Sequence, residues 1–226
     1  MSESIGALVV AAGSSRRMGG IDKLWLDIDG RPVLSYTLSA LREAVSLQQL
    51  VVVASPSGIE RITRLRGELP WSAITALVAG GAERADSVYA GLTAMSRCNY
   101  VLVHDGARPC VTARVVQDAL DAARWTGAAI PVVPVADTIK TVDGDGYIAG
   151  TLDRAALRAV QTPQVFAYDL LLHAYEQAGE ERSLCTDDAM LVERLGVRIA
   201  TSAGDPHNIK VSTPADIPLV RLYLSR

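Results

Sequence analysis

Several features are scarce or missing in this chain, and each absence excludes a class of protein. Cysteine occurs at only three of 226 positions, Cys98, Cys110 and Cys185, and forms no CxxC pair. This usage indicates free thiols in a reducing compartment rather than a disulfide framework or a zinc site. Basic residues are not in excess: the formal net charge is −3, whereas a general nucleic-acid binder is normally basic. The apolar start at 5–12 is too short to span a membrane and lacks the basic flank of a secretory signal. We therefore expect a cytoplasmic protein without nucleic-acid or membrane partners.

The loop after the first apolar run lacks the two commonest nucleotide-binding fingerprints. No Gly-Lys-Ser/Thr follows Gly13 at the Walker A spacing, and Ser15 occupies the second glycine position of GxGxxG. A P-loop ATPase and a dinucleotide-dependent dehydrogenase are therefore disfavoured. The loop does bring Arg16, Arg17 and Lys23 to the end of a buried strand. Cations and backbone N–H groups at one place predict a polyphosphate site, although an ordinary strand-to-helix turn with solvated arginines has the same spacing.

Short apolar segments alternate with amphipathic stretches along most of the chain. Hydrophobic residues make up 49% of the sequence, which is enough for a substantial core. Helices are predicted to begin near Pro32 and Thr112. Predicted strands are Ala7–Ala11, Leu50–Ala54, Ile74–Val78, Tyr100–His104, Ala128–Val133 and Val197–Thr201. The pattern predicts an α/β fold with a doubly wound, mostly parallel, Rossmann-like sheet. The loops at 12–23, 79–87 and 104–109 should then converge at the carboxyl ends of the strands.

The segment 135–153 interrupts this alternation. Two short β-type runs, 138–142 and 147–151, flank a Gly-rich tip at 143–146. This pattern predicts a β-hairpin with too little apolar surface to be stable alone. It is expected either to pack as an arm on another subunit or to fold back on its own domain.

Two further loops carry groups suited to a nucleotide. The paired glycines before Ser87 permit close backbone approach, and the Ser87 hydroxyl is a candidate partner for a nucleobase; a plain turn is the alternative. Asp105 follows a buried strand and is a candidate Mg²⁺ ligand, or else a turn-forming residue. His104 has no second histidine at ligand spacing and is predicted to be packed or hydrogen-bonded.

Three later positions have both a functional and an ordinary explanation. Arg154 has the planar fork that binds a phosphate monoester. Thr186 is a candidate substrate residue or the N-cap of a helix at 187–195. Lys210 lies in a short β-like run and is either a phosphate-binding or an edge-strand lysine.

Taken in order, these motifs resemble one family over nearly the whole chain. The family is 2-C-methyl-D-erythritol 4-phosphate cytidylyltransferase, within the nucleotidyltransferase superfamily. The matching motifs are AAGSSRRM and DK within 11–23, GRPVL at 30–34, GGAERADSV at 80–88, HDGARP at 104–109, ADTIK at 136–140, LDR at 152–154, QTPQVF at 161–166, TDDA at 186–189 and NIKVSTPAD at 208–216. The first motif marks only the superfamily, whereas ADTIK, QTPQ, TDDA and NIKV are far more specific.

The resemblance implies a reaction and a set of site residues. The expected reaction transfers a cytidylyl group from CTP to 2-C-methyl-D-erythritol 4-phosphate and releases pyrophosphate, with Mg²⁺ held by Asp105. Implied catalytic residues are Arg17, Lys23, Arg154 and Lys210. Implied nucleotide-binding residues are Ala11, Ala12, Gly13, Gly81, Ser87, Asp105, Gly106 and Arg108. Implied residues for the sugar phosphate are Thr138, Arg154, Thr162, Thr186 and Lys210.

The resemblance also implies an organisation. Residues 1–226 are expected to form a single nucleotidyltransferase domain of the nucleotide-diphospho-sugar transferase type, with 135–153 as the arm of a homodimer. Two other functions stay open at this point. One is a cytidylyltransferase for another polyol phosphate, such as ribitol 5-phosphate. The other is a non-catalytic nucleotide-binding module, which the joint presence of Arg17, Lys23, Asp105 and Lys210 argues against.

Overall fold

One eight-stranded sheet organises the molecule, for which a computed structural model describes residues 3–13 and 22–225. The strands are β1 (Ile5–Ala11), β2 (Asp27–Ile28), β3 (Arg31–Pro32), β4 (Gln49–Ala54), β5 (Ala76–Ala79), β6 (Tyr100–Asp105), β7 (Ala128–Pro134), β8 (Lys140–Val142), β9 (Ile148–Thr151), β10 (Arg158–Val160), β11 (Gln164–Ala167) and β12 (Ala200–Ala203). The α-helices are α1 (Val33–Ala44), α2 (Pro56–Leu65), α3 (Arg84–Ala94), α4 (Ala113–Thr126), α5 (Tyr168–Ala178), α6 (Asp188–Arg194) and α7 (Asp216–Leu224).

The sheet is mostly parallel, as predicted. Its order is β10-β7-β11-β6-β1-β4-β5, and β12 pairs with the other edge of β7. Strands β5, β4, β1 and β6 pair in parallel, and so do β12 and β7. Among the described strands of this sheet, the antiparallel pairings are those of β10 with β7 and of β11 with β6 and β7. The carboxyl ends of β1, β5 and β6 therefore lie at one edge, where such sheets bind ligands.

Both faces of the sheet are covered by helices, which explains why the central strands are apolar throughout. Neighbouring residues of a strand point to opposite faces, so Leu8 lies in one core and Val9 in the other, each fully buried. Helices α3, α5 and α6 contribute to the first core, and α1, α2, α4 and α7 to the second. Across the described ranges, no helix combines the length and apolarity needed to cross a membrane.

The predicted strands are all present, with shifted ends. The largest shift is at β12, which begins at Ala200 instead of Val197; β1 begins two residues earlier than predicted, at Ile5, and β5 begins two residues later, at Ala76. Helix α1 follows Pro32 directly, and the Thr112 hydroxyl accepts the Val115 N–H at 3.4 Å at the start of α4. Hydrophobic periodicity thus located the elements, while hydrogen bonds to neighbouring strands decided where each strand begins.

Strands β10 and β11 were missed because they are short and separated by a turn. Both lie along the same edge of β7: Val160 pairs with Val132, and Val165 pairs with Ala129. The turn between them, Gln161-Thr162-Pro163, contains a cis Thr162–Pro163 bond. After this turn the chain inserts β11 between β7 and β6, which brings the turn beside the end of β6.

The predicted hairpin is present as β8 and β9, which form a separate two-stranded sheet. Its apolar side chains are exposed: Val142 is 58% exposed, Tyr147 73% and Ile148 62%. In a single chain this apolar surface faces solvent, which is typical of a segment that packs on another molecule.

Candidate active site

A buried carboxylate surrounded by cations lies at the carboxyl edge of the sheet. Asp105 ends β6 and is only 7% exposed. Its carboxylate lies 2.9 Å from Lys210 Nζ, 3.4 Å from Arg108 Nε and 3.7 Å from Arg84 Nε. These cations come from three separate segments, so the fold brings together residues that are distant in sequence.

The charge of this cluster is suited to anions. Burial alone would raise the pKa of Asp105, but attraction to Lys210 and Arg84 outweighs burial and holds the pKa well below its usual range. Asp105 is therefore ionised at neutral pH. A second carboxylate, Asp188, pairs with Arg84 at 2.7 Å. Three cations thus face two carboxylates, which leaves one positive charge in surplus to attract a phosphate.

Lys210 lies in the loop between β12 and α7, so the alternative of an edge-strand lysine is wrong. The Val211 N–H donates to the Ala107 carbonyl at 2.9 Å and holds this loop beside β6. The Lys210 side chain is 37% exposed, in contrast to the nearly buried Asp105 that it contacts. The Lys210 side chain is therefore partly accessible from solvent.

Lys23 lies near the same loop. It begins a short 3-10 helix, Lys23–Trp25, in which the Asp22 carboxylate accepts the Leu24 N–H at 3.1 Å. Burial alone would raise the pKa of Asp216, but N–H donors from the 212–213 backbone and the charge of Lys23 lower it. Lys23 therefore lies near Asp216, in the chain that follows Lys210. Arg17, together with Arg16, lies outside the described residues.

The turn after β5 is shaped by close packing. A Cβ added to Gly80 would lie 2.2 Å from the Cβ of Ala12, so glycine allows the loops after β1 and β5 to touch. The Ser87 hydroxyl accepts the Gly81 N–H at 3.1 Å and donates to the Glu83 carbonyl at 3.2 Å. Ser87 is only 3% exposed, so in this structure its hydroxyl shapes the turn. Its contact with a nucleobase stays a prediction.

The end of β1 contributes backbone to the same edge. Ala11 is buried, and Ala12 is partly buried. Gly13 is exposed, and a Cβ added there would meet no atom within 4 Å. Gly106 lies across from this segment: its N–H donates to the Val10 carbonyl at 2.9 Å. The ends of β1 and β6 are therefore held side by side at this edge of the sheet.

Arg108 joins two parts of the site. Its Nη1 donates to the Asn208 carbonyl at 2.7 Å, while its Nε faces Asp105. The side chain is only 12% exposed. Arg108 therefore holds the Lys210 loop against Asp105, and its predicted contact with the nucleotide is not tested by these bonds.

Hydrogen bonds of His104 and Thr162 fix the end of β6. His104 Nε2 lies 3.2 Å from the Arg108 carbonyl, which can only accept, so Nε2 carries the proton and Nδ1 accepts from the Thr162 hydroxyl at 2.8 Å. The Thr162 oxygen also accepts the Asp105 N–H at 3.1 Å. Burial lowers the pKa of His104 to about 4, so the ring is neutral. The prediction that His104 is hydrogen-bonded is confirmed, whereas Thr162 is 5% exposed and its hydroxyl is engaged within the protein.

Two buried glutamines were missed by sequence reasoning. Gln161 makes a pair of bonds to the Asp205 backbone, donating to its carbonyl at 2.8 Å and accepting its N–H at 3.1 Å. Gln164 donates to the Asp187 carboxylate at 2.8 Å and accepts the Ala189 N–H at 3.1 Å. The turn at 161–164 therefore anchors both the Lys210 loop and the start of α6. Only the QTPQ motif marked these positions, and nothing in it indicated which loops they hold.

The start of α6 differs from its prediction. Asp187 is the N-cap and accepts the Met190 N–H at 3.0 Å, so Thr186 is not the cap, and the helix runs over Asp188–Arg194 instead of 187–195. Asp187 replaces Thr186 because its carboxylate lies at the right position and is oriented by Gln164. Thr186 is exposed beside this helix start.

Thr138 and Arg154 belong to a different segment of the chain from the cation cluster and are more exposed than its residues. Both are exposed, and Arg154 Nη1 donates to the Ala136 carbonyl at 2.7 Å. An open cavity of about 550 Å³ lies there, lined by Pro134–Ala136, Asp153–Ala155 and Arg158. This cavity offers Arg154 to an anionic ligand.

The donors around Asp105 limit what metal could bind. Over residues 3–13 and 22–225, no group of three Asp, Glu, His or Cys side chains is arranged to hold a metal ion. Mg²⁺ commonly binds through one or two carboxylates while substrate phosphates and water complete its shell. Asp105 therefore fits an ion that binds together with a polyphosphate, and not a metal held by the protein alone.

Comparison with known proteins gives one consistent result. The family model for 2-C-methyl-D-erythritol 4-phosphate cytidylyltransferase matches residues 5–226. A protein of that name from Symbiobacterium thermophilum is 45% identical over 222 residues, covering 97% of this chain and 92% of its own length. Another from Dehalococcoides mccartyi strain 195 is 39% identical over 226 residues, covering 100% of this chain and 98% of its own length.

Solved structures agree with these relatives. The 4-diphosphocytidyl-2C-methyl-D-erythritol synthase of Anaerococcus prevotii superposes with a TM-score of 0.85 at 28% identity, covering 99% of each chain. The 2-C-methyl-D-erythritol 4-phosphate cytidylyltransferase of Thermus thermophilus superposes with a TM-score of 0.79 at 32% identity, covering 97% of this chain and 98% of its own.

Proposed function

This chain belongs to the 2-C-methyl-D-erythritol 4-phosphate cytidylyltransferase family, and we propose how its side chains divide the reaction between them. The enzyme transfers the cytidylyl group of CTP to 2-C-methyl-D-erythritol 4-phosphate, in the non-mevalonate isoprenoid pathway. A phosphate oxygen of the acceptor attacks the α-phosphorus of CTP. The new P–O bond forms as the bond to pyrophosphate breaks, giving 4-diphosphocytidyl-2-C-methyl-D-erythritol.

The cation cluster around Asp105 is the main observation that supports the roles proposed for individual residues. Nucleophile and nucleotide are both anionic, so positioning and electrostatic stabilisation supply most of the catalysis. The acceptor phosphate is already largely dianionic near neutral pH, so the reaction requires no strong general base. Lys210, partly exposed and paired with Asp105, is the cation best placed to exchange that carboxylate for a phosphate. Lys23 and Arg17 are assigned to the transition state at the α-phosphorus.

The nucleotide is assigned to the backbone at the carboxyl edge. Segment 11–13 is assigned to offer main-chain groups to the triphosphate and ribose, and Gly81 to frame the base. Gly106, whose N–H and carbonyl bond to Val10 and Thr37, holds the end of β6 beside that segment. Ser87 holds the Gly81 N–H in place through its hydroxyl. Arg108 supports this part of the site through Asp105 and the Lys210 loop.

Mg²⁺ is assigned to Asp105 together with the phosphates of CTP. When bound, the ion would neutralise phosphate charge. Asp105 is ionised in this structure, as a ligand must be, and its cations compensate its charge while no metal is bound. Bound together with CTP, Mg²⁺ would take the place of Lys210 as a positive partner of Asp105, while Arg84 and Arg108 stay beside that carboxylate.

The acceptor is assigned to Arg154, Thr138 and Thr186, with the hairpin crossing to a second copy of the chain. Thr162, whose buried hydroxyl bonds to His104 and to the Asp105 N–H, is assigned a supporting role behind Asp105. The exposed apolar side chains of β8 and β9 support a homodimer built on segment 135–153, within a single-domain chain. The free cysteines are consistent with a reducing, cytoplasmic compartment.

Pyrophosphate release tests the function directly. CTP with 2-C-methyl-D-erythritol 4-phosphate should release pyrophosphate, and EDTA should abolish release. Ribitol 5-phosphate should support far less turnover; equal turnover with both acceptors would contradict the acceptor assignment.

Lys23→Ala should fold normally and lose roughly hundred-fold or more in kcat, whereas near-wild-type turnover at saturating CTP would contradict its role.

A further inference from the structure

Arg84 connects two carboxylates from opposite sides of the site. It is the first residue of α3, three residues after Gly81. Its Nη2 lies 2.7 Å from Asp188 Oδ2, and its Nε lies 3.7 Å from Asp105 Oδ1. Asp188 is the first residue of α6, two residues after Thr186. The guanidinium therefore lies between the nucleotide side and the acceptor side.

Each oxygen of the Asp188 carboxylate has its own side-chain partner. Asp188 is fully buried, and its second oxygen accepts the Tyr175 hydroxyl at 2.6 Å. Removing the cation from a buried carboxylate strongly destabilises the folded state. Arg84 and Asp188 therefore hold each other in place. Because each begins a helix, their ion pair also fixes the start of α3 relative to the start of α6.

We infer that Arg84 is a positioning residue that sets the spacing between bound CTP and the acceptor phosphate. This inference rests on the proposed roles of Asp105 and Lys210. When the Lys210 ammonium exchanges Asp105 for phosphate, Arg84 continues to hold that carboxylate. In-line attack requires the reacting atoms about 3–3.5 Å apart, and a misplacement of about 1 Å can cost on the order of a hundred-fold in rate.

The role requires an arginine. Its planar fork places two nitrogens toward two carboxylates at once, whereas a lysine ammonium is a single point charge. Arg84→Lys keeps the charge beside Asp188 but not both contacts. This substitution therefore separates the positioning role from simple charge compensation in the core.

The test is the kcat of Arg84→Lys at saturating CTP and acceptor. We expect kcat to fall roughly ten- to hundred-fold, while the KM for CTP changes by less than about three-fold. Arg182→Lys is the matched control. Arg182 also pairs with a carboxylate of α3, Asp86 at 2.9 Å, and stacks over Tyr89, but this ion pair is not with Asp105 or Asp188. Wild-type kcat in Arg84→Lys would overturn the inference, and so would an equal loss in Arg182→Lys.

A double-mutant cycle tests whether Arg84 acts through Asp188. Arg84→Gln and Asp188→Asn should each lower kcat, and the double variant should lose less than the product of the single losses. Multiplicative losses would overturn the inference. The double variant contains no unpaired buried charge, so it stays measurable if a single variant fails to fold. Wild-type kcat in Lys210→Ala would instead refute the proposed site, whatever Arg84 does.

Discussion

The two halves of the proposed site are built in opposite ways. Around Asp105, each polar side chain described above is buried or half-buried and has a defined hydrogen bond or ion pair. Around Arg154, the segment 136–160 is mostly exposed, and the arginine bonds only to a nearby carbonyl among the contacts described. The described part of the nucleotide half is thus held by contacts within one chain, whereas the acceptor half lies on a segment whose apolar side chains are exposed.

The difference indicates that contacts within the chain hold one half of the site, whereas the other half is proposed to depend on assembly. Electrostatic stabilisation is strongest when charges are held before the substrate arrives. The 161–164 turn achieves this by anchoring the Lys210 loop and α6 through Gln161 and Gln164. The hairpin is held by contacts within its own segment, such as the bond from Lys140 to the Thr151 hydroxyl, and the proposed homodimer would add contacts from a second copy. Three variants probe the two halves, taken in order of decreasing effect.

The largest effect is expected from Lys210→Ala. Removing a preorganised cation should lower kcat by hundreds-fold or more, about 3–4 kcal/mol of barrier, because the nucleotide half loses the charge offered to phosphate. Steady-state pyrophosphate release measures this. Lys140→Ala is the control, because that lysine lies in β8 and donates to the Thr151 hydroxyl. Similar losses of kcat in both variants would contradict the proposed difference between the two halves of the site.

His104 should make the nucleotide half sensitive to acid. Its pKa is about 4 in the folded protein against 6.5 ordinarily, so the unfolded chain binds the proton first and stability falls as pH drops below 6.5. From pH 7 to pH 5 this group alone should cost about 2 kcal/mol of unfolding free energy. Urea unfolding at both pH values measures the cost.

The matched pair for this measurement is His104→Gln and His173→Gln. The first should reduce the pH dependence by about that amount, and the second should not, because His173 is exposed. An unchanged pH dependence in His104→Gln would show that the His104 ring does not control the acid sensitivity.

Arg154→Ala should have the smallest effect and the most selective one. Losing one exposed charge-assisted contact to the acceptor phosphate should raise the KM for 2-C-methyl-D-erythritol 4-phosphate roughly ten-fold. The KM for CTP should stay unchanged, because Arg154 belongs to the other half. A rise in both constants would contradict the division of the site.

The sequence predicted the fold better than the contacts within the site. Apolar strands alternating with amphipathic helices were enough to predict the parallel sheet and the convergence of the loops, and Gly80 against Ala12 illustrates that convergence. The hairpin was also predicted. Ile148 is exposed in the single chain, and the homodimer through this hairpin stays a prediction.

Tertiary geometry supplied what local patterns could not. The pairing of Arg84 with Asp188 joins residues 104 positions apart, and no spacing rule predicts it. Asp187 replaced Thr186 as the helix cap because Gln164 orients it. The bonds of Thr162 to His104 and Asp105 depend on how β11 enters the sheet beside β6.

The most direct test is the KM for the acceptor in a chain that cannot pair. Ile148→Asp places a charge on the exposed apolar face of the hairpin, and sedimentation velocity establishes whether the variant is monomeric. For that monomer at saturating CTP, we expect the KM for 2-C-methyl-D-erythritol 4-phosphate to rise at least roughly ten-fold, with the KM for CTP unchanged. A monomer with wild-type KM for both substrates would contradict the claim that the acceptor half requires a second copy.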